Sequence, residues 1–235
     1  MNTTDFSETY FKEGATLCFD KPLEWTSFQL VNKVRWLIKR KYKLKKIKVG
    51  HAGTLDPLAT GLVIICTGKS TKAIPGLMGQ TKVYTGEMTL GATRPSYDME
   101  TEIDQSFPID HITDEDIRLK TKDFTGKILQ QPPVFSALKK EGRRLYDYAR
   151  KGEKVDIRKR EVEIQDFKIT SINLPKIEFE VTCSKGTYIR SLAHDFGKAL
   201  DSGAYLSGLR RTQIGNYDID KALNVETFEE ALDFR

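Results

Sequence analysis

The sequence predicts an α+β (mixed α/β) domain built on a mixed, mostly antiparallel central sheet flanked by helices. Three observations lead there. Ile177, Phe179, Val181 and Cys183 alternate with polar residues, the period of a half-buried strand. Leu30, Val34, Leu37 and Ile38 fall on one helical face, and Ile189, Leu192, Ala193, Phe196 and Leu200 fall on another. Strand and helix signals are interleaved without strict alternation, which argues against a purely parallel βαβ sheet.

The elements follow in order. Leu17 to Pro22 reads as a short strand ending in a proline-containing turn. Thr26 and Gln29 form a capping-box pattern that starts the first amphipathic helix, with Lys33 and Arg40 on its polar side. Lys39 to Lys46 reads as a cationic loop or frayed helix end. A glycine-rich bend follows, then the apolar strand Leu62 to Cys66. Gly68-Lys69-Ser70-Thr71 reads as the turn after that strand, because a phosphate loop needs glycine where Val63 stands. Val83 to Leu90 is a strand, and residues 95–116 form an acidic excursion. Gln130-Gln131-Pro132-Pro133 is extended, since proline disfavours helix in the residue before it. Val162 to Ile169 and Ile177 to Cys183 pair antiparallel, and a second helix begins near Ile189. Thr227 is the expected cap of a last short helix.

The 235 residues suit one large domain or two small ones, and 39% hydrophobic content supports an ordinary core. The net charge of +5 hides a segregation. Trp25 to Leu55 holds nine Lys/Arg and no acid, whereas Pro95 to Ile117 holds eight Asp/Glu and no base. Residues 139–160 add ten Lys/Arg against four acids, with Tyr146 and Tyr148 among them. Such a pattern points to an anionic polymer as partner, against the plainer reading of solvated helix faces. The longest wholly apolar run, Leu62 to Cys66, is far short of the roughly 20 residues that cross a membrane. Met1 to Asp5 lacks the features of a signal peptide. Cys18, Cys66 and Cys183 are odd in number and widely spaced, which speaks for a reducing, cytoplasmic location.

The segment Gly50-His51-Ala52-Gly53-Thr54-Leu55-Asp56-Pro57-Leu58-Ala59-Thr60-Gly61 is the strongest chemical signal. Small residues around one acid leave room for a bulky group to approach Asp56. An Asp-Pro in such a bend is also an ordinary turn signal, and the residues alone leave both readings open. Tyr84 is either a strand aromatic or a platform for a stacked base. Arg190, near a helix start where a cation is disfavoured, suggests a partner anion such as Asp56 or a phosphate. No His/Cys/carboxylate cluster has metal-ligand spacing, and no cofactor motif is present, so no metal and no cofactor are expected.

The Gly50 to Gly61 segment resembles the catalytic motif of the TruB family of tRNA pseudouridine synthases. The resemblance runs in family order from about Leu17 to Ile214. It includes Asp20-Lys21-Pro22 with Thr26-Ser27, Lys82 to Gly86, and Leu90 to Thr93. It continues through Gln131-Pro132-Pro133, Ser136 to Lys139 and Arg144 to Arg150 in an RNA-gripping insertion of about 125–160, and ends with Gly186 to Leu192 and Leu209-Arg210-Arg211. It implies the pseudouridine-synthase fold across a single catalytic domain, 1–235, with an acidic tail, 216–235. Only 24 residues follow Arg211, so no RNA-binding PUA domain is expected.

The resemblance implies isomerisation of a uridine in the T loop of tRNA, at position 55. Asp56 would be the nucleophile, with attack on the sugar, attack on the base and removal of a sugar proton all left open. Tyr84 would stack on the flipped base, and Arg190 would orient Asp56. His51 would hold the flipped T loop, Tyr188 and Leu209 would line the base pocket, and Lys21 would belong to the substrate site. Lys43, Lys45, Lys46, Lys139, Arg143 and Arg144 would contact the RNA backbone. The expected partner is the T-stem-loop of tRNA, bound by a monomer with no guide RNA and no membrane. The alternatives are a guide-RNA-dependent synthase of the dyskerin type and a tRNA-binding or tRNA-folding protein in which isomerisation is incidental.

Overall fold

A computed structural model describes residues 6–136, 138–153 and 155–233, with the side chain of Arg144 also outside the description. Met1 to Asp5 and Ala137, both used in the sequence reading, therefore lie outside the described residues. The chain forms two compact units, one of Met1–Val83 with Arg210–Arg235, the other of Tyr84–Leu209. The strands Lys82–Leu90 and Ala204–Ile214 each have residues in both.

In the first unit, the strand Ala59–Thr67 pairs antiparallel with Thr16–Lys21, placing Phe19 opposite Val63 and Lys21 opposite Gly61. It also pairs antiparallel with Val49–Ala52, where His51 faces Ile65. The end of Ala204–Ile214 lies next to it and turns into Tyr217–Asp218. Leu62, Ile64 and Cys66 share one face with Ala52 and Ile214, all without solvent exposure.

The helix Ser27–Lys41 starts as its capping box predicts: Gln29 N donates to Thr26 Oγ1 at 3.0 Å and Thr26 N to Gln29 Oε1 at 2.7 Å. It buries Leu30, Val34, Leu37 and Ile38. Of the expected cationic loop or helix end, Lys39, Arg40 and Lys41 form the last turn, where cations complement the exposed carbonyls of the helix end, and the residues up to Lys46 follow outside the helix. The C-terminal helix Val225–Ala231 is capped by Asn224, not Thr227. Thr227 sits three residues inside, and its Oγ1 accepts from Asn224 N at 3.2 Å, completing a capping box. Phe228 on this helix packs edge-on against Phe19 and Phe11. Glu229 and Asp233 pair with Lys33 and Lys41, so the acidic tail neutralises one flank of the cationic helix. Gly68 to Ala73 is a 3₁₀ helix rather than a simple turn.

In the second unit the strand order is Lys82–Leu90, Lys176–Cys183, Arg160–Asn173, Gly126–Gln130. The expected antiparallel pair is present and longer than predicted, with Phe167 opposite Val181 and Ile169 opposite Phe179. Phe167 stands edge-on to Phe179 and to Phe196 of the helix Ile189–Ala199, which docks that helix through Leu192, Ala193 and Phe196. The acidic excursion holds a two-residue ladder, Ala92–Thr93 with Gln105–Ser106, and a helix Asp114–Lys120 capped by Thr113. The cationic insertion forms a short hairpin, Lys139–Lys140 with Arg143–Arg144, followed by the helix Leu145–Arg150. Among the described residues no helix is long and apolar enough to cross a membrane.

Two predictions follow from this packing. Gly61 has φ +106°, and a Cβ there would lie 2.7 Å from the Arg211 nitrogen and closer still to its carbonyl oxygen. Gly61→Ala is expected to destabilise the protein by about 2–4 kcal/mol, read as a lower urea midpoint; an unchanged midpoint would contradict this strand contact. The second concerns His194, which burial pushes down from 6.5 to about 4, with Lys198 acting the same way and Asp104 opposing. The unfolded chain then takes up a proton before the folded one, so stability falls as pH drops from about 6.5 towards 4 and levels off below. His194→Phe should lose this component, on the order of 3 kcal/mol, leaving a shallower acid limb in urea titrations at several pH values.

Candidate active site

Asp56 lies in the bend between the strands Val49–Ala52 and Ala59–Thr67, and the bend is held through its backbone. Ser27, the first residue of its helix, donates from Oγ to Leu55 O at 3.1 Å and accepts from Leu55 N at 2.8 Å. The Asp56 carbonyl accepts from Ala59 N at 3.1 Å, and the Pro57 carbonyl accepts from Glu24 N at 2.8 Å.

Two buried cations complete the frame. Arg211 is fully buried, and its guanidinium donates to Leu62 O at 2.7 Å, Gly53 O at 3.1 Å and Thr54 O at 3.4 Å. A buried guanidinium has five donors to satisfy, and the carbonyls preceding Asp56 answer several of them. Lys21 is also fully buried, and its ammonium donates to Trp25 O at 2.6 Å, Pro22 O at 2.9 Å and Pro57 O at 3.4 Å. Burial lowers the Lys21 amine to about 8, opposed first by the Asp56 carboxylate, while Arg211 pushes it further down and Asp20 up. Asp56 is therefore within electrostatic reach of Lys21. Asp20 itself accepts two hydrogen bonds from Arg210, at 2.6 and 3.1 Å.

His51 stands on the strand entering the bend, with Nδ1 buried. Burial lowers its imidazole, against the Gly53 backbone and with Arg211. Around the helix Ser27–Lys41, Asn32, Arg35, Trp36, Lys39, Arg40, Lys43 and Leu44 line a surface concavity. Trp36 is 47% exposed and lies beneath Lys33 and Arg40 at 5.2 and 4.9 Å. Lys43, Lys45 and Lys46 are exposed beyond the helix end.

The second unit holds the remaining predicted residues. Tyr84 is a buried residue of its strand, and Leu209 is half-buried. Tyr188 precedes the helix Ile189–Ala199, where Gln130 fixes its backbone twice: Tyr188 N donates to Gln130 Oε1 at 2.7 Å and Gln130 Nε2 to Tyr188 O at 3.0 Å. Arg190 is 5% exposed in the first turn of that helix. It pairs with Asp98, 6% exposed, at 3.4 Å, and donates to Ser96 O at 3.3 Å. Lys139 is exposed, while Arg143 pairs with Glu153, beyond the helix Leu145–Arg150, and lies 4.1 Å over the Tyr148 ring of that helix.

The structure thus brings Asp56, Lys21 and His51 into one framework, and Tyr188 and Arg190 onto one helix start. Sequence reasoning missed Asp98, Gln130, Ser27 and the work of Arg211. The acidic excursion concealed Asp98, one of eight acids with nothing local to distinguish it. Arg211 was visible only as part of a motif. Among the described residues no group of three or more His, Cys, Asp or Glu could hold a metal ion.

Residues 39–189 match the TruB family pseudouridylate synthase N-terminal domain, and residues 190–234 match the tRNA pseudouridylate synthase B C-terminal domain. The chain is 58% identical over 223 residues to a tRNA pseudouridine synthase B of Flavobacterium johnsoniae, covering 94% of this chain and 97% of that one. It is 47% identical to the corresponding protein of Chloroherpeton thalassium, covering 94% and 91%. A solved structure of a Cbf5-Nop10-Gar1 complex contains a chain with TM-score 0.71 and 28% identity, over 95% of this chain but only 55% of that one. Two family matches that span most of the chain, and relatives matched almost end to end, establish that this chain belongs to the TruB family of pseudouridylate synthases.

Proposed function

We infer that this chain isomerises uridine to pseudouridine in tRNA, at position 55 of the T loop, with Asp56 as the nucleophile. The observation that carries the reading is the Asp56 bend, whose backbone is locked by two buried cations and a helix N-terminal serine. A bend fixed at its backbone fixes where the Asp56 side chain starts, which saves part of the cost of ordering at the moment of reaction.

The net change breaks the N1–C1′ bond of the uridine and forms a C5–C1′ bond, and the C5 proton is replaced by one at N1. No redox partner or group donor enters that balance, so the work falls on side chains that bind, orient and move a proton. In our reading Tyr84 stacks on the uracil and Arg190 orients the Asp56 carboxylate. Tyr188 and Leu209 shape the base pocket, and His51 supports the flipped loop. Lys21 acts from inside, tying the Pro22–Trp25 turn to Pro57. The target base must leave its stack, at a cost of a few kcal/mol. Backbone contacts from Lys43, Lys45, Lys46, Lys139, Arg143 and Arg144 would offset that cost. We further propose a single catalytic domain that acts as a cytoplasmic monomer, without guide RNA, membrane or cofactor. The near end-to-end match to tRNA pseudouridine synthases favours this over the guide-dependent alternative, whereas the chain of the Cbf5-Nop10-Gar1 complex is matched over only 55% of its length.

Two experiments test the reading. Tritium release from a T-stem-loop labelled at uracil C5 should occur with the wild type and vanish with Asp56→Asn, while RNA affinity stays within about threefold. Release by Asp56→Asn would remove Asp56 from the nucleophile role. Replacing Lys43, Lys45 and Lys46 by glutamine should weaken T-stem-loop binding and reduce the slope of log affinity against log salt by about 2–3. An unchanged slope would put the RNA backbone elsewhere.

A further inference from the structure

The loop that carries Asp98 runs from Arg94 to Asp104, and its own polar groups tie it together. Ser96 N donates to Thr101 Oγ1 at 3.1 Å and Thr101 N to Ser96 Oγ at 3.2 Å. Ser96 Oγ donates to Asp98 O at 3.1 Å, and Arg94 donates to Thr101 O. Asp98 divides its carboxylate: Oδ1 accepts from Glu100 N at 3.0 Å and Oδ2 faces Arg190 Nη1 at 3.4 Å. The direction in which Asp98 points is thus a property of the loop backbone.

That backbone contains an unfavourable residue. Tyr97 has φ +63°, a left-handed conformation that is costly for a bulky side chain. What stands against the cost is a stack. The Tyr97 ring lies nearly parallel to the His194 imidazole, 14° apart in plane and 3.8 Å between centroids. Two hydrogen bonds assist, Tyr97 N to Arg94 O and Leu206 N to Tyr97 O, both 2.9 Å. His194 is four residues beyond Arg190 on the helix Ile189–Ala199, so the two share one helical face. Neighbouring residues of the loop are held by neighbouring turns of the helix, Asp98 by Arg190 and Tyr97 by His194. Among the described residues His194 Nδ1 is buried without a protein hydrogen-bond partner, so the imidazole holds Tyr97 through its ring face.

We propose that Tyr97 and His194 are positioning residues for the isomerisation: their stack holds the loop turn that aims Asp98 at Arg190, and so fixes the guanidinium. The proposal rests on the synthase reading above, because its consequence is read in the rate of that reaction. Arg190 is the residue through which the pair acts, and neither ring needs to touch RNA. Loss of the stack lets residue 97 relax, and Asp98 turns away with it. A misplacement of about 1 Å in a group that orients a reacting carboxylate is enough to cost about 100-fold.

The test compares Tyr97→Ala and His194→Ala with the ring-preserving Tyr97→Phe and His194→Phe, well below the unfolding midpoint of each. Each alanine variant should lower kcat for tritium release by about 10- to 100-fold, with KM for the T-stem-loop within about threefold. The phenylalanine variants should keep most of the rate, and the double alanine variant should be no slower than the slower single. Phenylalanine variants as slow as the alanine ones would overturn the proposal, as would single effects that multiply. Hydrogen exchange over residues 94–104 and at the Leu206 amide gives a readout independent of activity. It should quicken in the alanine variants and not in the phenylalanine ones. A wild type that releases no tritium would defeat the synthase reading by itself, and exchange alone would then decide whether the stack holds the loop: unchanged exchange in the alanine variants would sink the stack as well.

Discussion

A guanidinium taken out of water must be met by acceptors, and the first unit is arranged around that requirement at Arg211. Its donors reach Leu62 O on the central strand and Gly53 O and Thr54 O in the bend before Asp56. The same contact needs Gly61, since any side chain there would strike the Arg211 backbone. One buried cation therefore couples the strand, the bend and the strand's close approach. Lys21 repeats the device from the other side of Asp56 through Pro57 O. Removing either side chain would leave several carbonyls unanswered in a dry interior, at a cost that one surface ion pair does not approach.

The second unit applies a related constraint to Arg190. Its charge is buried, so a carboxylate must be buried with it, and Asp98 supplies one. The price is conformational, a tyrosine in the left-handed region one residue before Asp98, against which the ring stack on His194 is set. What composition alone presents as a solvated acidic excursion is in part a structural clip. Its seven other acids remain on the surface: Glu100, Glu102, Asp104, Asp110, Asp114, Glu115 and Asp116.

Charge segregation likewise has two uses. The cationic helix gives Lys33 and Lys41 to the acidic tail, which anchors the C-terminal helix beside the aromatic cluster of Phe11, Phe19 and Phe228. Past the helix end Lys43, Lys45 and Lys46 stay exposed, available to a polyanion. A count of lysines could not separate these groups, because the partner acids lie nearly two hundred residues away in sequence.

The sequence by itself determined whatever short-range rules govern. The capping box at Thr26 and Gln29 acts over three residues, and the apolar face of that helix and the alternation of Ile177 to Cys183 act over a turn or a pleat, so their elements were legible. The Asp56 bend was legible as a motif and, through its resemblance, as the mark of a family. The Asn224 cap was misassigned to Thr227 because both residues belong to one box, and local pattern does not say which end of it starts the helix. Only the tertiary structure decided the rest: Arg211 bonded to a carbonyl 158 residues away, Arg190 to one 94 residues away, Lys21 sealed inside, and Tyr97 laid on His194. The physical reason is range. Propensity and periodicity act through neighbours along the chain, whereas a buried charge is satisfied by whatever acceptor the completed fold brings to it.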